Sequence, residues 1–312
     1  MRRAKISIIG AGAVGATCAH WAAAKALGDI VLVDIPEKLG PTRGKALDLA
    51  QSAPIERFDV HVVGTDDYEQ TAGSDVVIIT AGLPRKPGMS RDDLVRTNAQ
   101  IVADVSRRVA STSPDGILVV VSNPLDAMVY AAWKVSGFPP DRVVGQAGCL
   151  DVARYATLIA AEVGCSVEDI RALLMGGHGD DMVPLKRYTT VAGIPVTQLI
   201  RPDRLDQIIQ QTRMGGGQIV QLMGTSASYA PAAGTIQMVE AILRDKKRIL
   251  PCAAYCQGEY GVGGYFVGVP CLLGAKGVER IIEVELDPDE RKLFETSVQH
   301  VKELCELVDR ML

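Results

Sequence analysis

The 312-residue chain has no low-complexity run, no block of basic residues, no CxxC pair and, beyond its N-terminal segment, no stretch near the ~20 apolar residues of a membrane helix. Each absence removes a class of protein. With 47% hydrophobic and 22% charged residues, the composition is that of a globular chain and not a disordered one. A net charge of -4 with no basic block argues against a nucleic-acid partner held by bulk electrostatics, so any bound anion must be met locally. Seven cysteines, an odd number without paired spacing, suggest neither a disulfide framework nor a zinc site, and no metal is expected. Reduced thiols in the cytoplasm fit best. Histidine is scarce as well, with only His20, His61, His178 and His300.

What is present is alternation. The opening "MRRAKISIIGAGAVGATCAHWAAAKALGD" resembles a secretory signal in outline, but a strand, a glycine turn and a helix explain its glycine spacing, which the signal reading leaves to chance. Short apolar strands are predicted at 4–9, 30–34, 60–63, 75–80 and 117–122, with helices following the first glycine turn and at about 38–52 and 91–110. Strands apolar on both faces and separated by helices imply a parallel sheet covered on both sides. The rhythm changes near residue 145. A helix at 151–163, strand-like pieces near 182–200, helices near 203–223 and 232–244, and a glycine-rich β stretch at 249–286 follow. The final segment places Leu293, Phe294, Val298, Val301, Leu304 and Val308 on one helical stripe. Two domains are therefore expected, 1–145 and 146–312, the second a mixed α/β (α+β) unit. With no Pro/Ser linker between them, they should share a wide interface, where sites are favoured.

"GAGAVG", Gly10-Ala11-Gly12-Ala13-Val14-Gly15, stands between the first strand and the first helix. The first glycine permits the tight turn, the second lets the backbone approach a pyrophosphate, and the third lets helix and strand pack closely, with free N–H groups at the helix start. Asp34, nineteen residues after Gly15 at the end of the second strand, is placed to accept from a ribose diol and to repel a 2′-phosphate, which favours NAD over NADP. The pattern alone also fits any glycine turn of an α/β protein, and Asp34 also fits a turn aspartate.

His178 lies between two glycines in "MGGHGDDMVP", the setting of an imidazole held at a strand end. A histidine acting as acid or base near neutral pH works best with a carboxylate fixing its tautomer. Asp151 in "CLDVARY" is the candidate partner, and Arg154, one helical turn on, could grip a carboxylate with two prongs. The same two residues would equally make an ordinary i,i+3 surface pair. Asn123 in "VVVSNPLD" follows a strand on the edge where open sheets bind ligands, although Asn-Pro is also a common turn signal. The loop "AGLPRKPGMSRDD" carries Arg85 and Arg91 among glycines and prolines.

In order along nearly the whole chain, "GAGAVG", "TAG" (80–82), "SNP" (122–124), "LDVAR" (150–154) and "GGHGD" (176–180) resemble the lactate/malate dehydrogenase superfamily, and within it the malate dehydrogenases built on the lactate dehydrogenase pattern. The resemblance implies a Rossmann-type doubly wound parallel sheet followed by a substrate domain, NAD as cofactor, and reversible oxidation of (S)-malate to oxaloacetate. By it, Asp151 and His178 are the proton relay, Arg154 anchors the C1 carboxylate, Arg91 on a closing loop polarises the carbonyl, and Asn123 binds the substrate oxygen. Asn98 and the backbone near Val121 would touch the cofactor. Arg85 stands where the lactate enzymes carry an uncharged residue, typically glutamine. Closing the loop over a dicarboxylate pairs this arginine, and closing it over pyruvate strands it at about 3–5 kcal/mol, roughly two to three orders of magnitude in rate. Ala227, where the lactate enzymes usually have threonine, leaves room for a longer substrate. The family makes dimers and tetramers, and this branch leans to tetramers. The readings to be separated are a lactate or other 2-hydroxyacid dehydrogenase, a sensor that binds NAD without catalysis, and an NAD-dependent glycosidase, which expects metal-binding Cys and His ligands.

Overall fold

The computed structural model describes residues 2–83 and 91–312, with Arg91 and Asp92 described in their backbone alone. The first half alternates β1 (Lys5–Ile9), α1 (Ala13–Ala24), β2 (Asp29–Val33), α2 (Leu39–Glu56), β3 (Val62–Thr65), β4 (Val76–Ile79), α3 (Arg91–Thr112), β5 (Ile117–Val120), α4 (Leu125–Ser136) and β6 (Val143–Gly145). The six strands are parallel in the order β3-β2-β1-β4-β5-β6. That is the order of a dinucleotide-binding sheet, with its crevice between β1 and β4 where the winding reverses. Every residue of β4 and β5 is buried, as expected for strands covered on both faces.

The second half comprises α5 (Gly148–Val163), β7 (Ile170–Arg171), β8 (Leu174–Gly176), β9 (Met182–Pro184), β10 (Thr190–Val191), β11 (Ile194–Pro195), α6 (Val196–Leu199), α7 (Pro202–Met223), α8 (Tyr229–Leu243), β12 (Arg248–Gln257), β13 (Gly263–Gly274), β14 (Gly277–Ile281) and α9 (Pro288–Asp309). The long β12–β13 hairpin joins the parallel sheet through the Ala253–Gly145 pair and continues antiparallel into β8 and β9, so one sheet runs through both halves. α1 packs on α8, and α9 packs on α3 and α4. This is the wide contact expected from the lack of a linker. α9 starts in a capping box, Asp287 with Glu290, and has Pro288 in its first turn.

The differences from the sequence reading have local causes. β3 begins at Val62: the exposed His61 spends its N–H on the Asp29 carboxylate at 3.0 Å, and only its carbonyl reaches β2, accepting from the Ile30 N–H at 2.8 Å. α4 shows no amphipathic stripe to read, since residues 125–132 are all buried. β6 has three residues, too few to reveal a period. Residues 196–199 form a helical turn, not a strand. On α9 the other five stripe residues are buried, but Leu293 is 49% exposed. Cys252, Cys256 and Cys271 of the glycine-rich stretch are free and buried in the β12–β13 hairpin, where they serve as small apolar packing.

Candidate active site

The glycine turn follows β1 into the crevice. Gly10 has φ +102°, open to glycine and strained for other residues, and a methyl on Gly15 would lie 1.9 Å from the Gly10 carbonyl oxygen. Gly12 faces open space and starts α1 with no side chain capping the first-turn N–H groups. These uncapped donors suit a pyrophosphate. Asp34 follows β2 and accepts from the Ala11 N–H and the Ile35 N–H, both at 2.9 Å. It therefore braces the glycine turn, and its carboxylate keeps lone pairs for a ribose. Lys45 on α2, which the sequence reading missed, donates to the Ala11 carbonyl on the same turn. Nothing in the local pattern around a helical lysine marks it.

Val14, Val121, Asn123, Leu150, Arg154 and His178 line one cleft of about 860 Å³, which extends over the carboxyl ends of the parallel strands toward α7 and α9. Leu94 of α3 also lines it, so the helix that begins at Arg91 reaches the cleft. Asn98 is buried. Its side chain accepts from the Leu83 N–H at 2.8 Å and donates to the carbonyls of Leu83 and Asn123 at 3.1 and 2.7 Å. It ties the start of the loop after β4 to the turn that carries Asn123. Arg85 and the Arg91 side chain lie outside the described residues.

His178 follows β8 at the start of a short turn, and its Nδ1 lies 2.8 Å from Asp151 Oδ2. Asp151 is in the first turn of α5, with its side chain 3% exposed, against 20% for His178. Burial works against the imidazolium, but the charge and hydrogen bond of Asp151, with Asp126 adding to them, outweigh it and raise the His178 pKa above its ordinary 6.5. Among the described residues Nε2 has no partner. The Asp151–Arg154 pair exists too, at 3.3 Å, so the bland i,i+3 reading and the functional one describe the same geometry. Arg154 differs from a surface arginine in two respects. Its side chain is 17% exposed, and its buried Nε has no hydrogen-bond partner among the described residues. Methyl groups on Gly215 and Gly216 of α7 would stand 3.4 and 3.5 Å from the Arg154 side chain, ordinary contact distances, so α7 lies directly against this arginine. Arg213, also missed in the sequence, lines the cleft, donates to the Met182 carbonyl at 3.1 Å and likewise keeps a partnerless buried Nε.

The loop holding His178 is clamped from behind. Ser297 of α9 accepts from the Gly177 N–H and donates to the Asp181 carbonyl, both at 2.7 Å, while Asp181 and His300 pair at 2.7 Å. Asp126 of α4 accepts from the His178 N–H at 3.1 Å. Neither Ser297 nor Asp126 was singled out in the sequence. The one sequence signal for Asp126 is an acidic residue three positions past Asn123, and its burial shows only in the fold.

The lactate/malate dehydrogenase NAD-binding domain model matches residues 4–145, and the α/β C-terminal domain model of the same family matches residues 149–311. The chain belongs to the lactate/malate dehydrogenase family. It is 62% identical to a malate dehydrogenase of Rhodopirellula baltica, over 100% of this chain and 99% of that one. The structure of malate dehydrogenase from Salinibacter ruber is similar at 53% identity with a TM-score of 0.94, covering 98% of both chains. A lactate dehydrogenase of Cryptosporidium parvum, solved with lactic acid and nicotinamide adenine dinucleotide, shares the fold with a TM-score of 0.95 at 40% identity, covering 99% of both chains. Fold therefore does not separate the two activities. As in the family, the N-terminal part is an NAD-binding domain. Among the described residues no helix is long and apolar enough to cross a membrane.

Proposed function

We propose that the chain catalyses the NAD-dependent, reversible oxidation of (S)-malate to oxaloacetate. The observation that carries this reading is the joint placement of the His178–Asp151 pair and the half-engaged Arg154 on one cleft at the mouth of the nucleotide crevice. Arg154, with its free Nε–H, takes the C1 carboxylate and so fixes the C2 hydroxyl toward His178. Asp151 keeps the proton on Nδ1, which leaves Nε2 to accept the hydroxyl proton as the carbonyl forms and to return it in reduction. Asn123 orients the substrate oxygen, Arg91 offsets charge developing on it, and Arg85 pairs with the distal carboxylate. Asn98 acts through Asn123 and the loop edge that it ties together. Gly10 to Gly15 hold the pyrophosphate, Asp34 the ribose, and Val121 the nicotinamide side. When bound, NAD supplies the hydride acceptor.

The choice of a dicarboxylate is supported by the names of the full-length relatives, by Ala227 in the cleft wall and by the two arginines of the loop. The test is NADH oxidation with oxaloacetate and with pyruvate. Oxaloacetate should be preferred by at least two orders of magnitude in kcat/KM, about the cost of a stranded arginine, and a preference for pyruvate overturns the reading.

The same reading divides the chain at 145/146, where the parallel strands end and the antiparallel part begins, and places the enzyme in the cytoplasm and in the tricarboxylic acid cycle. It also makes the assembly a homotetramer. Exposed apolar residues on α1 and α2 (Trp21, Leu47, Ile55) and on α7 and α8 (Leu222, Met223, Tyr229) support buried contacts between copies. Light scattering of the purified protein distinguishes tetramer from dimer.

A further inference from the structure

Asp126 stands apart from the other carboxylates near the cleft. It lies in the first turn of α4, three residues after Asn123, and is 6% exposed. Oδ2 accepts the His178 N–H at 3.1 Å, and Oδ1 is buried with no partner among the described residues. The backbone it touches is tightly placed, since a methyl on Gly177 would lie 3.3 Å from Oδ2. Leaving a carboxylate oxygen buried and unpaired is costly, and a hydrogen bond to one amide is a small return for it, because an asparagine could make the same bond. The difference between the two is charge.

We propose that Asp126 is a positioning residue for the reaction, one that fixes the His178 backbone through its amide and supplies from α4, independently of Asp151 on α5, a second negative charge favouring the protonated imidazole. The charged and titratable groups facing it are His178 and Asp181 from the segment after β8 and Cys305 from α9, while Asp151 and Arg154 of α5 also act on His178. Burial pushes the Asp126 carboxyl up to about 6, against the pull of His178. Its charge is therefore added as pH rises through that value, where protonated His178 needs support. Asn123 and Asp126 on one helix start couple the oxygen-orienting residue to the proton carrier.

The inference rests on His178 acting as proposed above. The test is the pH profile of kcat/KM for oxaloacetate reduction, which requires protonated His178 and falls as that proton is lost. Asp126→Asn keeps an acceptor for the amide and removes the charge, so the midpoint should move down by about half a pH unit or more. Ser297→Ala loosens the same loop without changing charge, and should lower kcat with the midpoint in place. An unmoved midpoint in Asp126→Asn, or an equal shift in Ser297→Ala, overturns the proposal. If Asp126→Asn does not fold, the wild-type His178 imidazole resonance, assigned by its loss in His178→Asn, should show a second inflection near pH 6 as Asp126 ionises. A single inflection overturns the proposal. If the wild type fails to turn over oxaloacetate, the malate reading falls, and the resonance still decides the role of Asp126.

Discussion

The two sides of the cleft are built on different plans. On the nucleotide side the working groups are mostly backbone, presented by one strand–turn–helix between Lys5 and Ala24, with the Asp34 carboxylate as brace. On the substrate side they are side chains from separate elements. His178 meets Asp151 across 27 residues, its amide meets Asp126 across 52, and Ser297 reaches Gly177 across 120. A site made by a contiguous backbone turn should fail locally and mainly in binding, whereas one assembled from distant side chains should fail in chemistry while the fold and the nucleotide affinity survive.

The sharpest contrast comes from His178→Asn. Turnover should fall by roughly 10³- to 10⁴-fold, the upper range for a lost general acid–base, while NADH affinity measured by fluorescence stays within a few-fold. A comparable loss of NADH affinity would break the comparison. Arg154→Leu should lower kcat/KM by roughly 10²- to 10³-fold, since it removes the carboxylate anchor and leaves the buried Asp151 without its arginine, and steady-state kinetics should show the loss falling heavily on KM. Gly15→Ala reverses the pattern. Its methyl group meets the Gly10 carbonyl, and forcing the turn apart costs about 1–3 kcal/mol, so NADH binding should weaken by roughly tenfold or more and thermal unfolding should come earlier. The chemical step measured at saturating cofactor should change little. The smallest effect is one of position on the pH axis. Because the folded pKa of His178 is raised, oxaloacetate reduction should hold past pH 6.5 and fall as pH passes the raised value, with malate oxidation rising over the same interval. By linkage, the stability that the His178–Asp151 pair contributes is complete below the ordinary histidine pKa and is lost as pH rises through the folded one. Thermal unfolding of wild type and His178→Asn at matched pH should converge toward alkaline conditions.

The same division explains what could be read in advance. β4 and β5 were visible because strands buried on both faces are continuously apolar, and the turn at Gly10 because its steric demand is met by glycine alone. α4 was not, because a helix whose residues 125–132 are all buried shows no stripe there, and with it went Asp126, the carboxylate that holds the His178 amide. Arg154 was named but its setting was not. The α7 glycines that lie against it are about sixty residues away, and in sequence they read only as poor helix formers. Ser297 is one small polar residue on an amphipathic helix, and nothing local sets it apart.

From its residues alone the chain determined the alternating elements, the nucleotide turn and the identities of His178, Asp151 and Arg154, because periodicity, glycine geometry and acid–base chemistry are properties of short segments. The tertiary structure alone decided that the imidazole and carboxylate meet at 2.8 Å, that Arg154 keeps a buried Nε unpaired among the described residues, and that α4 and α9 clamp the loop between them. Those facts depend on distances between segments far apart in the chain, and such distances are set by how the sheet and its helices pack.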